Sequence, residues 1–149
     1  MHSYQPRRSR QGLALDTYVK LMRAANAARN FAAQSLGNRR VTLTQFAVLE
    51  ALYHLGPMSL SDIAQKVLTT GGNLTMVVGN LEKQGLARRQ GCPQDRRVLI
   101  VVLTAKGKSV IREMFPRHAA AISGFLSALS PEEQTRLGEL CRKLGKQER

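Results

Sequence analysis

Apolar side chains recur at helical spacing from Leu13 to Leu36, among them Leu15, Tyr18, Val19, Met22, Ala25, Phe31 and Ala32. With abundant alanine and no proline, that stretch predicts one long helix, ended by Gly37-Asn38. A second helix is predicted from Thr42, where Gln45 completes a capping-box pattern and Phe46, Leu49, Leu52 and Leu55 form the buried stripe. Gly56-Pro57 stops it and leaves a short extended piece at Met58. Ser59 then caps a third helix, with Asp62 in its first turn and Leu60, Ile63, Ala64, Val67 and Leu68 facing inward. Thr69 to Gly72 reads as a turn. The fourth helix beyond it buries Leu74, Val77, Val78 and Leu81 and ends at Gly85.

The pattern then switches period. Leu86 to Gln90 and Val98 to Leu103 read as strands, the second strongly β-branched, joined by Gly91 to Arg97 into a hairpin with a basic tip. Thr104 caps a further helix with Val110, Ile111, Met114, Phe115, Ile122, Phe125 and Leu129 on one stripe, and Pro116 is expected to kink it. Ser130-Pro131-Glu132-Glu133 opens a last helix whose apolar face is Leu137, Leu140 and Leu144. The expected fold class is mainly α with a small β-hairpin wing: a winged helix-turn-helix lobe over 42–104, flanked by helices over 13–37 and 105–149, with 1–12 as a mobile basic arm carrying Arg7, Arg8 and Arg10.

Charge changes the picture more than composition does. The 149 residues hold 43% hydrophobic and 22% charged side chains, an ordinary balance for one folded domain. Lys and Arg total 23 against 10 Asp and Glu, a formal charge of +13. Such an excess attracts polyanions and by itself leaves DNA, RNA and anionic lipid open. No apolar stretch is long enough for a membrane span and the N-terminal residues lack a secretory apolar core, so a cytoplasmic protein is expected, with no membrane partner. Cys92 and Cys141 stand far apart, and His2, His54 and His118 show no ligand spacing, so neither a metal nor another cofactor is expected. No nucleophile–base–acid order, phosphate loop or convergent carboxylate pair appears, which argues against an enzyme.

Two short helices joined by a glycine turn and followed by a basic hairpin suit double-stranded DNA. If Leu74, Val77, Val78 and Leu81 point inward, Asn73, Thr75, Met76, Asn80 and Lys83 remain outside. Asn73 can pair with an adenine edge, Thr75 with a base or phosphate, and Met76 with a thymine methyl. Gly71 and Gly72 leave room for the backbone to approach a phosphate. In the tip, an arginine of Cys92-Pro93-Gln94-Asp95-Arg96-Arg97 can enter the minor groove, with Asp95 posing the guanidinium by a bidentate bond. Arg88 and Arg89 on the leading strand can meet phosphates. The competing reading is a nonspecific nucleic-acid or RNA-binding basic protein. Against it, aromatic residues are only 5%, and the phenylalanines fall on helix faces and not on a stacking platform.

The order of motifs resembles the MarR (multiple antibiotic resistance regulator) family of bacterial transcription factors. The matching pieces are Leu43-Thr44-Gln45-Phe46 with Val48-Leu49 and Leu52, then Leu60-Ser61-Asp62-Ile63-Ala64 and Asn73-Leu74-Thr75 with Val78. Leu81-Glu82-Lys83-Gln84-Gly85-Leu86 with Arg88-Arg89, Asp95-Arg96-Arg97 and Leu103-Thr104-Ala105-Lys106-Gly107 complete the match. The resemblance implies a repressor-type regulator, of a kind tied to stress response, whose first and last helices intertwine in a homodimer. Each subunit then reads half of a palindromic operator, with Asp95 and Arg97 as the wing pair. The flanking helices support pairing independently, since their apolar stripes exceed what the compact lobe can cover. The resemblance also implies release by a small aromatic or phenolic effector, for which Tyr18, Met22, Arg29 and His54 are candidate pocket residues. Cys92, among Arg88, Arg89, Arg96 and Arg97, is a candidate electrophile sensor, and Cys-Pro-x-Asp-Arg-Arg is similar to a quinone-responsive branch of the family. Cys141 reads as a packing residue of the last helix.

Overall fold

The computed structural model describes residues 9–37, 41–67 and 71–147. Over these residues the order is α1 (Arg10–Ser35), α2 (Leu43–Leu55), β1 (Met58–Ser59), α3 (Leu60–Val67), α4 (Gly71–Lys83), β2 (Ala87–Gly91), β3 (Leu99–Leu103), α5 (Ala105–Leu126) and α6 (Pro131–Gly145). Arg7, Arg8, Asn38, Leu68, Thr69 and Thr70, which figure in the sequence reading, lie outside the described residues. Two compact units emerge, one drawn from Met1–Gln34 with Ala120–Arg149, the other Ser35–Ala119.

The second unit is a winged helix built on local codes. Thr42, extended at φ −74° and ψ 164°, accepts the Gln45 N–H at 3.2 Å, and Gln45 Oε1 accepts the Thr42 N–H at 3.0 Å. That is the expected capping box, and it fixes where α2 begins. The helix ends at Gly56, whose φ of 84° sends the chain away. Leu55 therefore sits beyond the core and is 59% exposed, although its spacing places it on the buried stripe. Ser59 caps α3 as expected: its hydroxyl accepts the Asp62 N–H at 3.2 Å and donates to Asp62 Oδ2 at 2.8 Å. The expected turn at Gly71-Gly72 is instead the first turn of α4. Glycine costs helix propensity there, and the fully buried Leu74, Val78 and Leu81 offset it.

Phe46, Leu49, Ile63, Leu74, Val78, Leu81, Val101 and Ile111 are the centre of one core shared by α2, α3, α4, β3 and the start of α5. The first half of α5, read from the sequence as part of a pairing helix, thus packs with the winged helix through Ile111 and Met114. α5 runs unbroken through Pro116. His118 lies 4.5 Å from the Phe46 ring centroid, and its Nδ1 is 2.9 Å from Ser35 Oγ.

The wing is broader than a hairpin. β2 and β3 pair antiparallel, with Ala87 opposite Leu103 and Arg89 opposite Val101. β1 joins the far side of β3, with Met58 opposite Val101, giving the order β1-β3-β2. The sheet is stitched to α5 by Thr104, whose hydroxyl donates to Gly85 O at 2.6 Å and accepts the Gly107 N–H at 3.0 Å. At Gly107 the Leu86 carbonyl oxygen lies 2.0 Å from where a Cβ would sit, so glycine is required for helix and strand to approach this closely.

The other unit holds most of α1, the end of α5, and α6. α1 begins at Arg10, earlier than expected, because Ser9 caps it: its hydroxyl accepts the Gly12 N–H at 3.0 Å and its carbonyl the Leu13 N–H at 3.1 Å. Residues 10–12, assigned to the arm, are therefore helical. α6 starts with the expected capping box, Glu133 N–H to Ser130 Oγ at 3.2 Å and Ser130 N–H to Glu133 Oε2 at 2.8 Å, with Pro131 following. Phe31 and Phe125 pack with centroids 5.0 Å apart. α6 has no buried residue, and Leu21 and Ala24 of α1 with Leu137, Leu140, Cys141 and Leu144 of α6 line an apolar cavity of about 560 Å³. Among the described residues no helix is long and apolar enough to cross a membrane.

Candidate nucleic-acid interface

The chemistry of the winged-helix unit is set by which face of α4 the core claims. Leu74, Val78 and Leu81 are fully buried and Val77 half-buried, so the helix has one fixed orientation. That orientation leaves Asn73, Thr75, Met76 and Lys83 exposed and Asn80 half-buried. Met76 is 63% exposed, so an apolar side chain stands among the polar ones on this face. The C-terminus of α4 is closed by Gly85 at φ 70°, with the Leu86 N–H on Leu81 O at 2.9 Å and the Gly85 N–H on Glu82 O at 2.9 Å. Lys106 Nζ donates to Gln84 O at 2.8 Å, adding a cation where the helix dipole favours one.

The wing carries its cations in two settings. Arg88, Arg96 and Arg97 are exposed, and the Arg97 side chain is 95% accessible. The loop beneath them is closed by Cys92 N–H to Val98 O at 2.8 Å and Val98 N–H to Asp95 O at 3.0 Å. Asp95 Oδ1 accepts the Arg97 N–H at 3.0 Å, so the carboxylate is spent on the turn, and only a 3.9 Å contact from the same oxygen reaches Arg97 Nε. The two-pronged bond expected from the sequence is not formed. Asp95 shapes the loop that presents Arg97 without gripping its guanidinium.

Arg89 is different. Its side chain turns toward α4, where Nη1 lies 3.3 Å from Glu82 Oε2 and Nη2 donates to Thr75 O at 3.1 Å. Its own N–H donates to Glu82 Oε1 at 2.8 Å. Arg89 thus parts from Arg88, with which it is paired in the sequence as a phosphate contact, and Glu82 is the acceptor that draws it inward. The available signal was strand alternation, which puts neighbouring arginines on opposite faces.

The remaining candidates fall elsewhere. The half-exposed Cys92 donates its thiol hydrogen to the neutral Gln94 Oε1 at 3.1 Å. Tyr18, Met22 and Arg29 lie on the exposed surface of α1. His54 belongs to the winged-helix unit, with its ring 5.0 Å from Phe115 and 5.2 Å from Tyr53. It also lines a shallow cavity of about 380 Å³ with Ala51, Leu55 and Val67. Among the described residues no group of three His, Cys, Asp or Glu is placed to hold a metal ion.

Comparison with known proteins points the same way as this geometry. A family model described as the MarR family matches residues 41–99. The HTH-type transcriptional regulator MhqR of Bacillus subtilis (strain 168) is 36% identical over 132 residues, covering 89% of this chain and 91% of that protein. A solved structure concerning regulation of DNA binding of Bordetella bronchiseptica BpsR by 6-hydroxynicotinic acid matches with a TM-score of 0.80 and 25% identity, over 99% of this chain and 100% of that one. The crystal structure of Sco3205, a MarR family transcriptional regulator from Streptomyces coelicolor, in complex with DNA, matches with a TM-score of 0.81 and 25% identity, over 93% and 91%.

Proposed function

The chain belongs to the MarR family, and from that premise we propose that it is a sequence-specific double-stranded DNA-binding transcriptional regulator, a cytoplasmic homodimeric repressor released by a small phenolic or electrophilic effector. One observation carries the DNA reading: the outward face of α4 and the basic wing lie on one compact unit, oriented by a common core. Asn73, Thr75 and Met76 read base edges in the major groove, with Asn80 and Lys83 further along the helix. Arg88 and Arg96 meet phosphates, and Arg97, presented by the Asp95 turn, enters the minor groove. That a protein of similar fold is solved in complex with DNA supports DNA as the partner.

Pairing is supported by the exposed apolar surface of α1 and α6, where Leu13, Tyr18, Leu140 and Leu144 are each more than 40% accessible. A second copy covers that surface and sets two winged helices on a palindrome with half-site centres about 34 Å apart. For the effector, the regulation of BpsR DNA binding by 6-hydroxynicotinic acid supports a small aromatic acid or phenol; Tyr18, Met22 and Arg29 on α1 and, separately, His54 on the winged-helix unit are the candidate contacts. An electrophile acts through Cys92: its sulfur adds to a quinone ring carbon, and the thiol proton and the ring's electron pair end in the hydroquinone. Cys92→Ser then abolishes quinone-induced release, and unchanged release discards the sensor.

Selection of bound sequences from a random duplex library tests the central reading. An enriched palindrome, bound by a dimer in sedimentation and weakened steeply by salt, is the expected result. Equal affinity for random duplex and RNA would instead identify a nonspecific nucleic-acid-binding protein.

A further inference from the structure

We infer that Arg89 is a positioning residue, a brace that locks α4 to the wing, and is not one of the phosphate contacts; this rests on the DNA reading proposed above. The strand sets it apart from its neighbour. Ala87 is buried and Arg88 exposed, and Arg89 again turns inward, with its side chain 27% accessible. Both ends of its guanidinium are engaged, Nη1 by Glu82 Oε2 at 3.3 Å and Nη2 by Thr75 O at 3.1 Å. Its Nε is buried and has no hydrogen-bond partner among the described residues, so the inner edge of the fork faces the protein. Swinging Arg89 out to a phosphate would strand the Glu82 carboxylate, itself 30% accessible, without its cation.

The two acceptors explain what is braced. Thr75 and Glu82 are about two helical turns apart on one side of α4, so a single guanidinium spans the reading end of the helix and its exit. The Thr75 carbonyl it holds belongs to a residue whose side chain is a candidate base contact. Glu82 completes the frame by taking the Arg89 N–H at 2.8 Å, which fastens the β2 backbone to the same carboxylate. Only a planar fork reaches both acceptors; a lysine keeps the charge and loses the span. The distance between the side chains in the major groove and the arginine in the minor groove is thereby held constant before DNA arrives.

Binding of the full-length protein to its selected duplex and to a random duplex, each over a salt series, separates brace from phosphate contact. For the brace, Arg89→Gln, Arg89→Lys and the near-isosteric Glu82→Gln all lower the cognate-to-random affinity ratio by about tenfold, the loss of one charge-assisted hydrogen bond. The slope of log affinity against log salt stays at the wild-type value. Arg88→Ala gives the converse, a slope smaller by about one with the ratio kept. An inactive fraction scales both affinities alike, so partial misfolding does not imitate a fall in the ratio. Should Arg89→Gln not fold at all, Arg89→Lys and Glu82→Gln decide. The inference is overturned if Arg89→Gln lowers the slope by about one while Arg89→Lys restores both quantities, or if Glu82→Gln leaves the ratio intact. A wild-type protein that shows no preference for any duplex would instead defeat the DNA reading itself.

Discussion

The two units are made of similar amphipathic helices and treat their leucines in opposite ways. In the winged helix, Leu49, Leu74 and Leu81 are inaccessible, whereas Leu137, Leu140 and Leu144 of α6 are 41%, 44% and 50% exposed. The difference lies in what is available to pack against. α4 meets α2, α3 and the sheet within its own unit, and its apolar face is fully claimed. α6 shares an open apolar cavity with α1, and Gln134 in its first turn holds the Leu126 and Leu129 carbonyls. A helical stripe therefore states that a face is to be buried without stating whether the cover comes from the same chain.

That contrast can be broken at several points. Gly107→Val should have the largest effect, because its Cβ would meet the Leu86 carbonyl at 2.0 Å, a backbone atom that cannot move aside; a loss of more than about 3 kcal/mol is expected in chemical denaturation. Ile63→Ala, at the centre of the core, should cost about 3 kcal/mol. The paired substitution Leu140→Ser and Leu144→Ser should cost an isolated chain little, since both side chains are already half exposed. If the proposed pairing is right, it should leave the protein monomeric in sedimentation with helical circular dichroism retained. If the assembly is unaffected, the exposed face of α6 is not the pairing surface. Thr42→Ala should remove about 1 kcal/mol through the lost cap.

The smallest effect concerns Glu132, in the first turn of α6. Its carboxyl is held below the usual carboxylate range by its own backbone N–H and by the Ser130 hydroxyl. A depressed carboxyl stabilises the folded state above its unfolded pKa, and that contribution is lost as pH falls through the folded value. Glu132→Gln should therefore be slightly destabilising near neutrality, with the difference vanishing in acid. A difference that grows in acid would contradict the sign.

What could be read from the sequence was whatever nearby residues decide. The capping boxes at Thr42–Gln45 and Ser130–Glu133, the stop at Gly85 and the inner face of α4 all depend on neighbours within a turn or two, and each forms as expected. The departures need partners distant in the chain or the exact end of an element. Met58 gives no sign that it will pair with Val101. Leu55 has the right spacing and the wrong position, past the last core contact of α2. Within the site, the exposed face of α4 and the exposed Arg88, Arg96 and Arg97 were legible from periodicity. The engagement of Arg89 by Glu82 and Thr75 was not: alternation along β2 separates the two arginines, but which face meets α4 depends on packing between elements.

The two-residue strand β1 also bears on the order in which the molecule assembles. Its pairing with β3 closes a loop that contains α3, α4 and β2. Closing so long a loop loses chain entropy that two residue pairs recover poorly, whereas the turns of α3 and α4 and the β2–β3 hairpin form from contacts close in sequence. The β1 edge is thus expected to form last in folding and to open first under denaturant, a low-stability seam beside pieces that form locally.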